Sequence, residues 1–302
     1  MAYAEVITAL CAARPDVMVL TAENRAAIRA LPERLGDRFV DVGICEQTMV
    51  GMAAGLALRG RVPVVHALAT FLTMRAFEFI RSDVGIAGLP VILVGGVPGF
   101  LSEANGPTHQ ALEDLALMRG IPGMAVVCPA DVDELTATMP ALVARGGPAY
   151  VRYHDGAAAV AHGRYVLGAA EVFGDGEDVA IVTLGLMLGG AIAAARRLAD
   201  QGIAARVVNM RSLAPLDTRA VLDAAAATRL LVTVEDHFLT GGLFTTVAET
   251  LATHGVAARV APIGLPGRWF RPALLADVLA VEGFTADSLA ARIAAALEGR
   301  SA

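Results

Sequence analysis

The sequence predicts an α/β protein of two doubly wound domains, each a mostly parallel sheet flanked by helices. Three observations predict it. Short β-branched runs alternate with Ala-rich helical segments through two stretches of the chain. A Gly- and Ala-rich segment, residues 154–168, interrupts the alternation between them. The length, 302 residues, is that of two domains of ordinary size.

In the first stretch strands are expected at residues 17–20, 62–66, 91–95, 125–128 and 149–152. Helices are expected at 3–13, 46–59, 72–84, 112–118 and 132–144. In the second stretch the strands fall at 179–184, 205–209, 230–234 and 258–261. Helices at 186–200, 218–226 and 243–253 lie between them. Strands separated by helices of this length pair in parallel and are covered on both faces. The interrupting segment is the linker, dividing a domain of residues 1–156 from one of 157–302.

Hydrophobic residues make up 56% of the chain and charged residues 18%. That exceeds what a core requires and points to further surface buried against other chains. No run of ~18 uncharged apolar residues predicts a membrane span, and the N-terminal residues lack the basic region of a signal peptide. A net charge of -6 argues against nucleic-acid binding, which needs a basic patch. Cys11, Cys45 and Cys128 are far apart and form no CxxC pair, as expected of reduced thiols in a cytoplasmic protein.

Three segments carry candidate chemistry. Asp41-Val42-Gly43-Ile44-Cys45-Glu46-Gln47 runs from a strand end through a glycine into a helix that opens with Glu46. A carboxylate there is favoured by the helix dipole whether or not it has a chemical role. Gly51 and Gly55 in that helix allow another element to approach closely. Thr70-Phe71-Leu72 follows the strand that ends at His66, at the carboxyl end where parallel sheets bind ligands. Phe71 either fills core or offers its face to a flat ring, and His66 reads as a packing histidine. Asn105-Gly106-Pro107-Thr108-His109-Gln110 is a polar loop whose single histidine, His109, is an acid–base candidate.

Taken together, these segments resemble the transketolase family. DVGICEQTMVGMAAGLAL is similar to its glutamate motif, FLTMRAFEFIRSDV to the following helix, and GPTHQALEDLALMRGIPGMAVVCPAD to its substrate-loop histidine region. VVNMRSLAPLD and TVEDHFLTGGL resemble its C-terminal domain. The resemblance implies thiamine diphosphate as cofactor. On it, Glu46 matches the glutamate that hydrogen-bonds N1′ of the aminopyrimidine, and Phe71 the aromatic stacked on that ring. His109 matches a histidine near the reacting carbons, and Glu23 falls near the thiazolium. Asn105 stands where an aspartate usually contacts a sugar hydroxyl.

The same resemblance implies a missing half. The family binds Mg²⁺ and diphosphate through a GDG motif on a domain N-terminal to these two. Gly174-Asp175-Gly176 reads instead as a turn before the first strand of the second domain, and no suitably spaced asparagine follows it. A partner subunit is therefore expected to supply the diphosphate-binding half and the metal ligands, in an assembly of two of each chain. Phosphate ligands also depart from the pattern. Val97 falls where a histidine is common, Ala27 near a serine, and His154 or Asp155 where an arginine is usual. An acceptor without a terminal phosphate is expected, with Arg152 or a partner residue compensating in part. His237 is expected to have a packing or an interface role. Two relatives in cofactor chemistry, a 1-deoxyxylulose-5-phosphate synthase and a 2-oxo-acid dehydrogenase β subunit, are alternatives. A non-catalytic interaction protein of the same fold is a third.

Overall fold

Val62–Leu68, Ile92–Gly96 and Val179–Thr183 are buried along nearly their whole length, and each becomes an inner strand of a sheet covered on both faces. In the computed structural model, which describes residues 3–23 and 26–299, the first unit comprises α1 (Tyr3–Ala13), β1 (Val17–Thr21), α2 (Leu31–Leu35), β2 (Phe39–Asp41), α3 (Glu46–Leu58), β3 (Val62–Leu68), α4 (Phe77–Phe79), β4 (Ile92–Gly96), α5 (Asp114–Arg119), β5 (Ala125–Val127), α6 (Val132–Arg145) and β6 (Ala149–Arg152). The second comprises β7 (Glu171–Phe173), β8 (Val179–Thr183), α7 (Leu188–Asp200), β9 (Ala205–Asn209), β10 (Ser212–Ala214), α8 (Thr218–Ala227), β11 (Leu230–Phe238), α9 (Leu243–Thr253), β12 (Val260–Leu265), α10 (Leu275–Val281) and α11 (Ala286–Leu297). No helix among the described residues is long and apolar enough to cross a membrane.

Two sheets result. One has the order β10-β5-β6-β4-β3-β1-β2, the other β12-β11-β8-β9-β7. All pairings are parallel except β10 with β5 and β7 with β9. The chain passes from β1 to β2 on one side and then returns to place β3 on the other side of β1. That reversal opens a crevice at the carboxyl ends of β1 and β3, where open α/β sheets bind ligands.

The expected helix at 72–84 is corrected. Phe71–Arg75 and Ile80–Gly85 are π-helical turns on either side of α4. Thr73 Oγ1 donates to the carbonyl of Ala69 at 2.7 Å, a side-chain bond that competes with the regular ladder. Gly174-Asp175-Gly176 lies in the connection between β7 and β8, so it follows the first strand of the second unit and does not precede it. A Cβ on Gly176 would fall 2.5 Å from the nitrogen of Ala205, so close packing requires the glycine.

The two units are joined more closely than a linker implies. Strand β10 belongs to the second stretch of sequence yet pairs with β5 of the first sheet, Ser212 opposite Val127. One apolar cluster runs from Leu20 and Val65 through Tyr150 and Cys128 to Val182, Leu213 and Leu251. Two buried polar joints add direction. At the first, Arg152 at the end of β6 donates through Nε to Asp114 (3.0 Å to Oδ2) and through an Nη to Asp236 Oδ1 of β11 (2.5 Å). Burial alone would lower the guanidinium's pKa, but Asp114 and Asp236 raise it well above its ordinary value. At the second, linker residue His162 places Nε2 2.6 Å from Asp131 Oδ2 and Nδ1 2.7 Å from Glu171 Oε2. Asp131 also caps α6, accepting from the amides of Asp133 and Glu134. Arg211 completes this joint by pairing with Glu134 and Glu171 at 2.6 Å each.

Removing one partner of a buried ion pair strands the other. Asp236→Ala is therefore expected to lower unfolding free energy by about 3–5 kcal/mol, read from the midpoint of urea denaturation. The second joint responds to pH. Burial opposes charge on His162, yet its hydrogen bonds to Glu171 and Asp131, with Glu134 nearby, hold its pKa above the ordinary value. A raised folded-state pKa means the contribution is full below the unfolded value of about 6.5 and disappears as pH rises through the folded value. The urea midpoint should fall across that window in the wild-type chain, and this component should be absent in His162→Asn.

Candidate active site

The crevice at β1 and β3 is a surface depression lined by Ala22, Glu23, Ile44, Glu46, Leu68 and Phe71. Each lies at or soon after the carboxyl end of a strand, Leu68 as the last residue of β3 and Glu46 as the first of α3. Asp41, the last residue of β2, shapes two of the loops there at once. Its Oδ1 accepts from the amides of Glu23 (3.0 Å) and Gly43 (2.9 Å). Gly43 turns the chain at φ +73°, and α3 begins three residues later with Glu46.

Glu46 is 2% exposed although it lines the depression. One oxygen accepts from an Nη of Arg75 at 2.9 Å, and the α3 dipole favours its negative charge. The same guanidinium lies 4.2 Å from the centre of the Phe71 ring, over its face. Carboxylate, cation and aromatic thus form one stack. Sequence reading missed Arg75. Its signal was the four-residue spacing from Phe71, which brings both to one face of a helical turn.

His109 reaches the same place from another strand. The segment between β4 and α5 brings its ring 5.0 Å from that of Phe71, edge to face at 69°. Thr70 Oγ1 donates to the His109 carbonyl at 2.8 Å, and Thr108 Oγ1 lies 2.9 Å from His109 Nδ1. Asn105 sits on the same loop and is exposed. The loop's base is narrow: Gly99 bridges Ala111, with its amide 2.9 Å from the Ala111 carbonyl.

Arg152 does not join this group. It is 3% exposed, lies under the loop and spends its guanidinium on Asp114, Asp236 and the carbonyls of Ala111 and Asp236. Its expected role as a substrate cation is corrected on that ground. Burial in the joint, not exposure to the crevice, is what an arginine at the end of β6 receives here. His66 is buried beside Tyr3 and Tyr153, and burial lowers its pKa to about 4. His237 is fully buried, with Nδ1 2.6 Å from the Phe238 carbonyl and Nε2 facing the amide of Ala116 in α5 at 3.4 Å. It therefore packs between the two units.

The comparisons with known proteins agree over the whole described fold. The family description "Transketolase, pyrimidine binding domain" matches residues 1–160, and "Transketolase, C-terminal domain" matches residues 168–289. The chain belongs to the transketolase family. It is 38% identical over 240 residues to the 6-deoxy-6-sulfo-D-fructose transketolase subunit SqwH of Clostridium sp. (strain MSTE9), covering 78% of this chain and 74% of that one. It is 37% identical over 311 residues to 1-deoxy-D-xylulose-5-phosphate synthase 1 of Geobacter sulfurreducens, covering 99% of this chain and 46% of that protein. The chain thus spans about half the length of the synthases it matches. Among solved structures, a split gene transketolase described as an inactive beta4 tetramer superposes with a TM-score of 0.85 at 34% identity, covering 98% and 97% of the two chains. A transketolase from Pichia stipitis shares the fold at a TM-score of 0.78 and 18% identity, over 98% of this chain and 46% of that one.

The transketolase family uses thiamine diphosphate, and the depression fits the pyrimidine end of that cofactor. It offers apolar walls, Ala22, Ile44 and Leu68, around one buried carboxylate and one aromatic face. The described group whose spacing could admit a metal ion, Glu134, His162 and Glu171, lies instead at the linker joint. There Arg211 and Asn209 already donate to Glu134 Oε1.

A Cβ on Gly99 (φ +58°) would fall 2.1 Å from Asp236 Oδ2. Gly99→Ala is therefore expected to cost about 1–3 kcal/mol in urea denaturation, through both backbone strain and overpacking.

Proposed function

We propose that this chain is the pyrimidine-binding subunit of a two-component, thiamine-diphosphate-dependent transketolase that moves a two-carbon ketol unit from a ketose to an aldehyde. The observation that carries the reading is the buried Glu46 carboxylate, set beside Phe71 in an open depression and held by Arg75. When bound, the cofactor supplies the electron sink for carbon–carbon cleavage. The chain's own residues bind and orient. Glu46 holds a proton shared with N1′ of the pyrimidine. Phe71 offers the ring face. Ile44 and Leu68 exclude water. Glu23 lies toward the thiazolium. His109 donates to a substrate oxygen, and Asn105 meets a hydroxyl.

The partner in this reading is a diphosphate-binding N-terminal-half subunit, with two of each chain in the assembly and Mg²⁺ held mainly by that subunit. Support comes from exposed apolar side chains at the depression and along the helix that leaves it: Ile44 is 67% exposed, and Met52 and Leu58 stand out from α3. Val97, His154 and Asp155 at the phosphate-contacting places, with Arg152 committed elsewhere, support an acceptor lacking a terminal phosphate there. A cytoplasmic setting completes the reading.

The test is reconstitution with a small thiamine-diphosphate-binding partner, Mg²⁺, cofactor and a ketose donor. Ketol transfer is expected only in the mixture. Glu46→Ala is expected to lower turnover by roughly 100-fold or more while the complex still assembles. Wild-type turnover in that variant would leave only a scaffold role. Unphosphorylated aldehydes are expected to outperform phosphorylated ones, and the reverse preference would overturn that part. A second reading draws on the synthase relatives, and CO₂ release from a 2-oxo acid would favour it.

A further inference from the structure

The loop that carries Asn105 and His109 is tied to the second domain along its length. Phe100, 1% exposed, packs edge to face on Phe270, their ring centres 5.1 Å apart. Three residues on, Glu103 Oε1 accepts from the amide of Leu275 at 3.1 Å. Three further on, Gly106 lies so close to Pro272 that a Cβ would fall 2.7 Å from its Cγ. Loop positions 100, 103 and 106 therefore meet positions 270, 275 and 272 of one short segment. The loop's base is tied to the same domain, because Arg152 bridges the Ala111 and Asp236 carbonyls beneath it.

The backbone of Glu103 marks the middle tie. Its φ of 43° and ψ of -114° belong to a region that side chains rarely adopt. The described non-glycine residues with positive φ are Glu23, Val97 and Glu103; Glu23 follows β1 and lines the depression, and the other two follow β4 in the segment that leads to His109. Strain of this kind persists where surroundings over-determine a conformation.

We propose that the segment 270–275 is a splint for the substrate loop, and that Glu103 is the positioning residue that fastens it. The geometry uses the side-chain oxygen as an acceptor, not the charge as such. The link to catalysis rests on the reading of His109 above; the splint itself does not.

Three variants test it. Glu103→Gln keeps the acceptor oxygen. Glu103→Gly suits the backbone and removes the tie. Glu103→Asn is a methylene too short to reach Leu275. Hydrogen exchange on the chain alone should quicken about tenfold for the amides of His109 and Gln110 in the Gly and Asn variants and stay at the wild-type rate in Gln. In the reconstituted enzyme, kcat should fall roughly tenfold for Gly and Asn, with cofactor affinity unchanged and Gln restored to wild type. Unchanged exchange in the Gly and Asn variants, or a Gln variant as fast as they are, overturns the splint. If the wild-type pair transfers no ketol unit, the functional reading falls, while exchange still decides the splint.

Discussion

Arg152 lies between two carboxylates from different parts of the chain, Asp114 at the start of α5 and Asp236 in β11, and all three are buried. Such an arrangement is costly unless every charge is paired and hydrogen-bonded. Here Tyr150 adds its hydroxyl, donating to Asp114 Oδ2 at 2.7 Å, and the guanidinium reaches two backbone carbonyls besides. Although Asp236 Oδ2 is left buried without a hydrogen-bond partner among the described residues, pairing these charges holds the second unit against the first in one orientation. It also fixes the base of the loop that carries His109, because the bridging atoms include the Ala111 carbonyl. Gly99 can be nothing larger, since Asp236 fills the space a side chain would take.

From that joint the site follows by topology. The reversal of strand order at β1 separates the loops after β1 and β3, and Glu46 enters from the loop after β2. Asp41 sets the two turns on that side through a single carboxylate oxygen. Arg75 then does for Glu46 what Asp114 and Asp236 do for Arg152: it gives a buried charge a partner. The difference is exposure. The side chain of Arg75 is 40% exposed, so this pair sits at a surface that another molecule can cover. The apolar lip at Ile44 points the same way.

Much of this was legible in the residues. The long β-branched runs announced their strands because burial on both faces demands apolar residues throughout. Glu46, Phe71 and His109 were legible as well, since each sits at a strand's carboxyl end, and the structure brings them together. Strands β2 (FVD), β7 (EVF) and β10 (SLA) were not: three residues are too few to show a period of two, and, unlike the equally short β5 (AVV), none is apolar throughout. The π-helical turns were hidden, since their residues suit an α-helix equally well. Arg152 misled because an arginine at a strand end looks available until the carboxylates that claim it are known. They lie 38 and 84 residues away in sequence.

The sequence by itself determined the α/β class, the alternation that builds each sheet, and which residue types could serve the chemistry. These depend on local pattern, and local pattern is written residue by residue. The tertiary structure alone decided that β10 crosses to the first sheet, that Arg152 is a strut and not a ligand, and that Arg75 belongs with Glu46. It also decided that Phe270, Pro272 and Leu275 lie along the loop that leads to His109. Each of these is a pairing between distant segments, set by which charges and apolar faces must be buried together, and no single segment carries that information.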